Sequence, residues 1–127
     1  MNDEQQCIDK FGKFIVQKLR DETIEYYERL AEGTWKAPMI QKLQNQVMHL
    51  NKEQKELIQR CIRECVDHGI HEFLFAFQEQ SDFDNEIKII VKDRNIIEIS
   101  DGIHGESFGE DGWYARFSKY GEIPEEA

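Results

Sequence analysis

The residue types best suited to chemistry lie in one glycine-rich stretch, Asp101-Gly-Ile-His-Gly-Glu-Ser-Phe-Gly-Glu-Asp-Gly112. His104 with Asp101, Glu106 and Asp111 is the set that a general base needs: an imidazole that titrates near neutrality and carboxylates able to orient it. The same groups would also suit a hard cation. The acids lack the Asp-x-Asp-x-Asp-Gly rhythm of a calcium loop, however, and tight turns select Asp and Gly for backbone reasons alone. Turn formation is the default reading, and acid–base or metal chemistry through His104, Asp101, Glu106 and Asp111 is its alternative.

A second set, Cys61, Cys65 and His68 with Glu72, falls within an arc of roughly 60° when residues advance by about 100° each along a helix. All are zinc ligands by type. One helix cannot bring them all to one ion, so a site would need Cys7 or His49 from a neighbouring helix. Cysteine is among the most buried residue types, and reduced, buried thiols are the simpler reading. Three cysteines, an odd number, also fit a reducing compartment better than a disulfide framework.

A third set is made for contact rather than reaction. Phe108, Tyr114 and Tyr120 offer large, stiff contact area, Arg116 is a common interface anchor, and Glu110 adds an acidic rim. Alternation along 112–118 places Trp113 and Phe117 on the core side and Tyr114 and Arg116 on the outer side. Trp35 is expected to staple a turn onto the core. Ser81, Ser100, Ser107 and Ser118 lie in no nucleophile elbow.

The elements that position these groups follow from periodicity. Apolar residues at Ile8, Phe11, Ile15, Leu19, Tyr26 or Tyr27 and Leu30 predict a first helix over about 3–32, stopped by Gly33. Pro38 opens a second helix, about 38–50, and Asn51 with Gln54 forms a capping-box signature for a third, about 52–79. The third is apolar over a wide arc near Phe73–Phe77, and Gly69 is a candidate kink. Past Asp82 the period becomes two: strands are predicted at about 86–92, 95–100 and 112–118, forming a small antiparallel sheet. The predicted class is α+β, one domain over 1–127. Its helical part is 1–80, hairpin, glycine-rich loop and aromatic strand occupy 81–121, and a frayed tail covers 122–127.

Charge narrows the function. The chain carries −10 overall, and residues 81–127 hold 5 Lys and Arg against 12 Asp and Glu. Such a field repels phosphate and anionic lipid, which argues against nucleic-acid and membrane partners and favours a basic protein. No run reaches the roughly 18 apolar residues of a membrane span, and the N-terminus has no signal-peptide pattern, so a cytoplasmic protein is expected. At 39% hydrophobic and 33% charged residues the chain is globular rather than disordered.

The sequence therefore leads to an acidic, non-catalytic interaction protein, with no cofactor expected, that binds a basic protein through Tyr114, Arg116, Phe108, Tyr120 and Glu110. In size, acidity and absence of catalytic motif it is similar to small bacterial antitoxin and immunity proteins, a likeness of composition rather than of motif. The alternatives are a small enzyme or metal protein using the His104 loop, metal binding at Cys61, Cys65 and His68, and a homodimer through the apolar end of the third helix.

Overall fold

The computed structural model describes residues 3–124 and is mostly helical, with one two-stranded antiparallel sheet. Helical backbone runs without interruption through α1 (Asp3–Ile15), a π-helical turn (Val16–Asp21) and α2 (Glu22–Glu32). A π turn holds one residue more than an α turn and so rotates the following face by roughly 100°. The consequence is visible at the end of the turn. Leu19, expected in the apolar stripe, is 44% exposed, while Arg20 and Asp21 are buried. The Glu22 backbone N–H and the Thr23 hydroxyl both donate to the Leu19 carbonyl in the widened turn. Gly33, at φ +77°, closes α2 by donating to the carbonyls of Arg29 and Leu30.

A 3-10 turn, Pro38–Ile40, leads into α3 (Gln41–Met48). The connection is held by Trp35, whose indole N–H donates to the Tyr26 carbonyl under the Arg29 guanidinium, and by the Gln44 amide, which bonds both backbone groups of Trp35. Asn51 and Gln54 form the expected capping box. It opens α4 (Lys52–Phe83), which continues unbroken through Gly69 over roughly 48 Å at 1.5 Å per residue. α2 packs on α3 and the first half of α4 around Tyr27, Leu30 and Val47.

The larger core forms where the C-terminal elements pack on α1 and α4. The hairpin is shorter than predicted: β1 (Ile90–Val91) pairs with β2 (Arg94–Asn95) in the register Ile90 to Asn95 and Val91 to Arg94. Its two-residue turn, Lys92–Asp93, has both φ values positive, the primed turn that matches strand twist. The expected strand over 95–100 is corrected to one helical turn, α5 (Ile96–Ile99), because the Asn95 side chain accepts from the Ile97 N–H and caps it. Ile96 and Ile97 are then both buried, as neighbours in a helix can be and neighbours in a half-covered strand cannot.

The aromatic strand is likewise corrected, to helix α6 (Trp113–Phe117). The residues that alternate as a strand also contain a helical spacing, Trp113, Tyr114 and Phe117, and short apolar runs satisfy both patterns. Two backbone bonds decide the outcome: the N–H groups of Trp113 and Tyr114 donate to the carbonyls of Glu106 and Ser107, folding the loop back on itself. α6 packs on α1 and the π turn, and a 3-10 turn, Ile103–Gly105, packs on α4. Of the predicted tail, 125–127 lies outside the described residues; Glu122 is held, its carboxylate accepting from the Gly109 N–H.

Trp113 is fully buried, edge-on to Phe11 at 6.1 Å, and lies directly over Gly12, where a Cβ would fall inside the indole. Helix propensity favours Gly12→Ala by about 1 kcal/mol, but overpacking a closed core costs about 1–3 kcal/mol. Gly12→Ala is therefore expected to lower the melting temperature, and an unchanged or raised value would show that α6 does not rest on α1 as described.

Candidate functional site

Beneath the C-terminal segment lies a buried polar cluster that the sequence did not announce. Arg20, fully buried at the end of the π turn, donates to both Asp67 carboxylate oxygens, from Nε at 2.5 Å and from Nη2 at 3.0 Å. Its Nη1 donates to Ser118 Oγ at 2.9 Å and to the Gly121 carbonyl at 2.6 Å. The neighbouring Asp21 accepts from the Ser118 hydroxyl and the Lys119 backbone N–H. The Arg20 guanidinium also stands 3.9 Å from the centre of the Tyr114 ring. Fork-to-fork geometry, added hydrogen bonds and an aromatic face are the conditions under which a buried ion pair is tolerated.

Tyr114, expected to point outward as a contact residue, is thus corrected to a core residue, 1% exposed. Its hydroxyl and that of Ser107 are buried with no hydrogen-bond partner. Burial, reinforced by the Asp67 charge, pushes the Tyr114 phenol up to about 12, so it stays neutral. Arg116 is exposed, as expected, but engaged within the chain: it donates bidentately to Asp9 at 3.0 and 2.8 Å and to the Asp111 carbonyl at 2.7 Å. Tyr120 donates to Glu28, and burial followed by that carboxylate raises its hydroxyl above the ordinary range. Phe108 and Glu110 remain exposed.

Above this cluster, between α4 and the C-terminal segment, opens a cavity of about 530 Å³. Glu64, Asp67, His68 and His71 line it from α4, with Arg60 at one end, and Phe108, Tyr114 and Glu122 line it from the other side. The Phe108 ring meets Tyr114 edge-on at 5.6 Å and His71 at 6.2 Å.

The His104 set is divided. Asp101, His104 and Glu106 border a second cavity, of about 430 Å³, with Gln5 and Ile8 of α1. Asp111 is not among its walls. His104 Nδ1 is buried without a partner, and its ring lies edge-on to Phe75 at 5.0 Å and to His71 at 5.4 Å. Glu106 takes the Ser100 hydroxyl at 3.3 Å rather than the imidazole. The cysteines are divided too. Cys7 is buried, but Cys61 and Cys65, expected inside, are exposed on α4, and Cys65 is made less acidic by its hydrogen bond with Cys61. Among the described residues no group of three His, Cys, Asp or Glu side chains is placed to hold a metal ion.

No family model matches the chain, and no curated protein or solved structure matches it significantly. Among the described residues no helix is long and apolar enough to cross a membrane.

Burial pushes the Glu106 carboxyl above its ordinary 4.5, with the Ser100 hydrogen bond opposing. The folded state then favours the protonated acid, so stability falls as pH rises through 4.5 toward the raised value and stays lower above it. Glu106→Gln removes that loss. The variant is expected to melt no lower than the parent at neutral pH, with any advantage fading in acid; a marked destabilisation confined to neutral pH would show that the carboxylate is held in its charged form.

Proposed function

We propose that the chain is a cytoplasmic interaction protein that receives a basic protein partner on its acidic C-terminal surface. The supporting observation is how three of the five cations of 81–127 are used, Lys88 and Lys92 being exposed at the hairpin. Arg94 pairs with Asp3 and Glu4, Arg116 with Asp9 and Lys119 with Glu25, all across to the N-terminal helices. The C-terminal acids Asp82, Asp84, Glu86, Glu98, Asp101, Glu110 and Asp111 stay exposed. Beside them stand uncovered apolar side chains, Phe83 at 89%, Ile87 at 61% and Ile90 at 55% exposure, with Phe108 further along. Apolar contacts rimmed by one sign of charge suit recognition of the opposite sign, and antitoxin-like or immunity-like neutralisation of a basic protein is one such role.

The contact set differs from the one first expected: Phe108 and Glu110 remain in it, and Phe83, Ile87 and Ile90 take the place of Tyr114, Arg116 and Tyr120. A second reading, acid–base chemistry at His104 with Asp101 and Glu106, is favoured by the unpartnered Nδ1 beside an open cavity.

The experiment is calorimetry with a partner identified by cross-linking in extract and then purified. Exposed charges are screened beyond about 8 Å at physiological ionic strength, so affinity should fall steeply with added salt. The triple variant Asp82→Asn, Asp84→Asn, Glu86→Gln is expected to weaken association by roughly tenfold, mostly by slowing it. Binding indifferent to both salt and the triple variant would contradict the proposal.

A further inference from the structure

We infer that the 530 Å³ cavity between α4 and the Ser107–Tyr114 segment is a receptor for one alkylammonium or guanidinium group, delivered as a lysine or arginine side chain of the partner. The inference rests on the proposed function and adds to it a specific seat for one residue.

Three features of the cavity point to a cation. The first is charge. Glu64 and Glu122 line it with Asp67 at its base, against Arg60 as the one arginine among its walls. Arg20 neutralises Asp67 from beneath without reversing the sign, because both guanidinium edges are already committed to Asp67, Ser118 and Gly121. The second is the aromatic wall. Phe108 presents a half-exposed ring there, edge-on to the buried Tyr114 whose face already holds the Arg20 guanidinium, so Phe108 supplies the negative π surface open to an entering cation.

The third feature is the Tyr114 hydroxyl. Tyr114 OH is buried without a hydrogen bond of ordinary geometry, on a side chain 1% exposed that lines the cavity, with the Ser107 hydroxyl and the Asp67 carboxylate within its reach. A buried hydroxyl normally finds a partner, and this one can give its proton to Asp67 or Ser107 and keep a lone pair for a donor that enters the cavity. Being neutral at pH 7, the phenol offers a lone pair to an N–H donor while Glu64 and Glu122 supply the countercharge. An anion would meet Glu64 and Glu122 against the single arginine Arg60, which is why a phosphate or carboxylate ligand is disfavoured despite the nearby histidines. The volume lies within the roughly 300–1,000 Å³ typical of small-molecule pockets, ample for one long side chain.

The test uses the full chain, labelled with nitrogen-15, and three probes: the Nα-acetyl amides of arginine, of lysine and of norleucine, the last being a neutral control of similar shape. The cationic probes are expected to give saturable shifts at the amides of Glu64–His71 and Ser107–Tyr114, and the norleucine probe none. Glu64 is exposed, so Glu64→Gln should leave the fold intact while weakening the cationic probes by roughly tenfold, the loss of one charge-assisted contact. Glu64→Lys should abolish binding, and Glu53→Gln, elsewhere on α4, should change nothing. Equal shifts with norleucine, shifts scattered over the surface, or indifference to Glu64→Gln would overturn the inference. The same variants separate it from the proposal it extends. If the purified partner still binds in a salt-dependent way with Glu64→Lys, the seat is wrong and the acidic-surface reading stands. If partner binding ignores salt and the 82–86 substitutions as well, both fall.

Discussion

The fold turns on the buried pair Arg20–Asp67. Two long helical rods, 3–32 and α4, meet there, and the charge of Arg20 has no water to fall back on, being fully buried. Once such a cation is inside, everything near it must supply acceptors. Asp67 supplies two, Ser118 one and Gly121 one, and Asp21 holds the same serine from the other side. Buried ion pairs often add little net stability over an apolar replacement, but removing one partner costs about 3–5 kcal/mol because the other charge is stranded. The pair is therefore better understood as setting register than as supplying stability. It requires Arg20 to face α4, and the π turn is the backbone adjustment that lets Arg20 rather than Leu19 do so.

From that constraint the C-terminal segment acquires its place. Ser118 and Gly121 tie its end to the π turn, Trp113 seats its helix on Gly12, and the Ile103–Gly105 turn rests on α4. The outer ion pairs of Arg94, Arg116 and Lys119 add little stability, being exposed, yet they draw three of the segment's five cations across to N-terminal acids. One arrangement thus makes both candidate features: the polar floor under the larger cavity, and the acidic, partly apolar face beside it.

Much of the helical framework was legible in the sequence, because long amphipathic segments repeat their signal many times. The capping box at Asn51 and Gln54, the stop at Gly33 and the tight turn of the hairpin each have a local chemical cause that the structure shows. The C-terminal third was harder to read for an equally physical reason. Over five residues, Trp113 to Phe117 fit a strand and a helix alike, and the choice was made by backbone bonds to Glu106 and Ser107 that no periodicity reveals. Tyr114 was assigned to the wrong face as a result. Arg20 was hidden because a π turn breaks the count of three and four, whereas Asp67 did leave a trace: an acid between Val66 and Ile70 in an apolar arc calls for a cation across the helix interface. The exposure of Cys61 and Cys65 left no such trace, since burial preferences of a residue type say nothing about a face that no other element covers.

The claim that Arg20–Asp67 organises the C-terminal segment is tested most directly by residue-resolved hydrogen exchange on Asp67→Asn against the parent chain. The account predicts that the amides of Tyr114 and of Ser118–Tyr120 lose protection selectively, while the middle of α2 and the first half of α4 keep theirs. Unchanged protection at Tyr114 and Ser118–Tyr120 in a folded Asp67→Asn protein would contradict it.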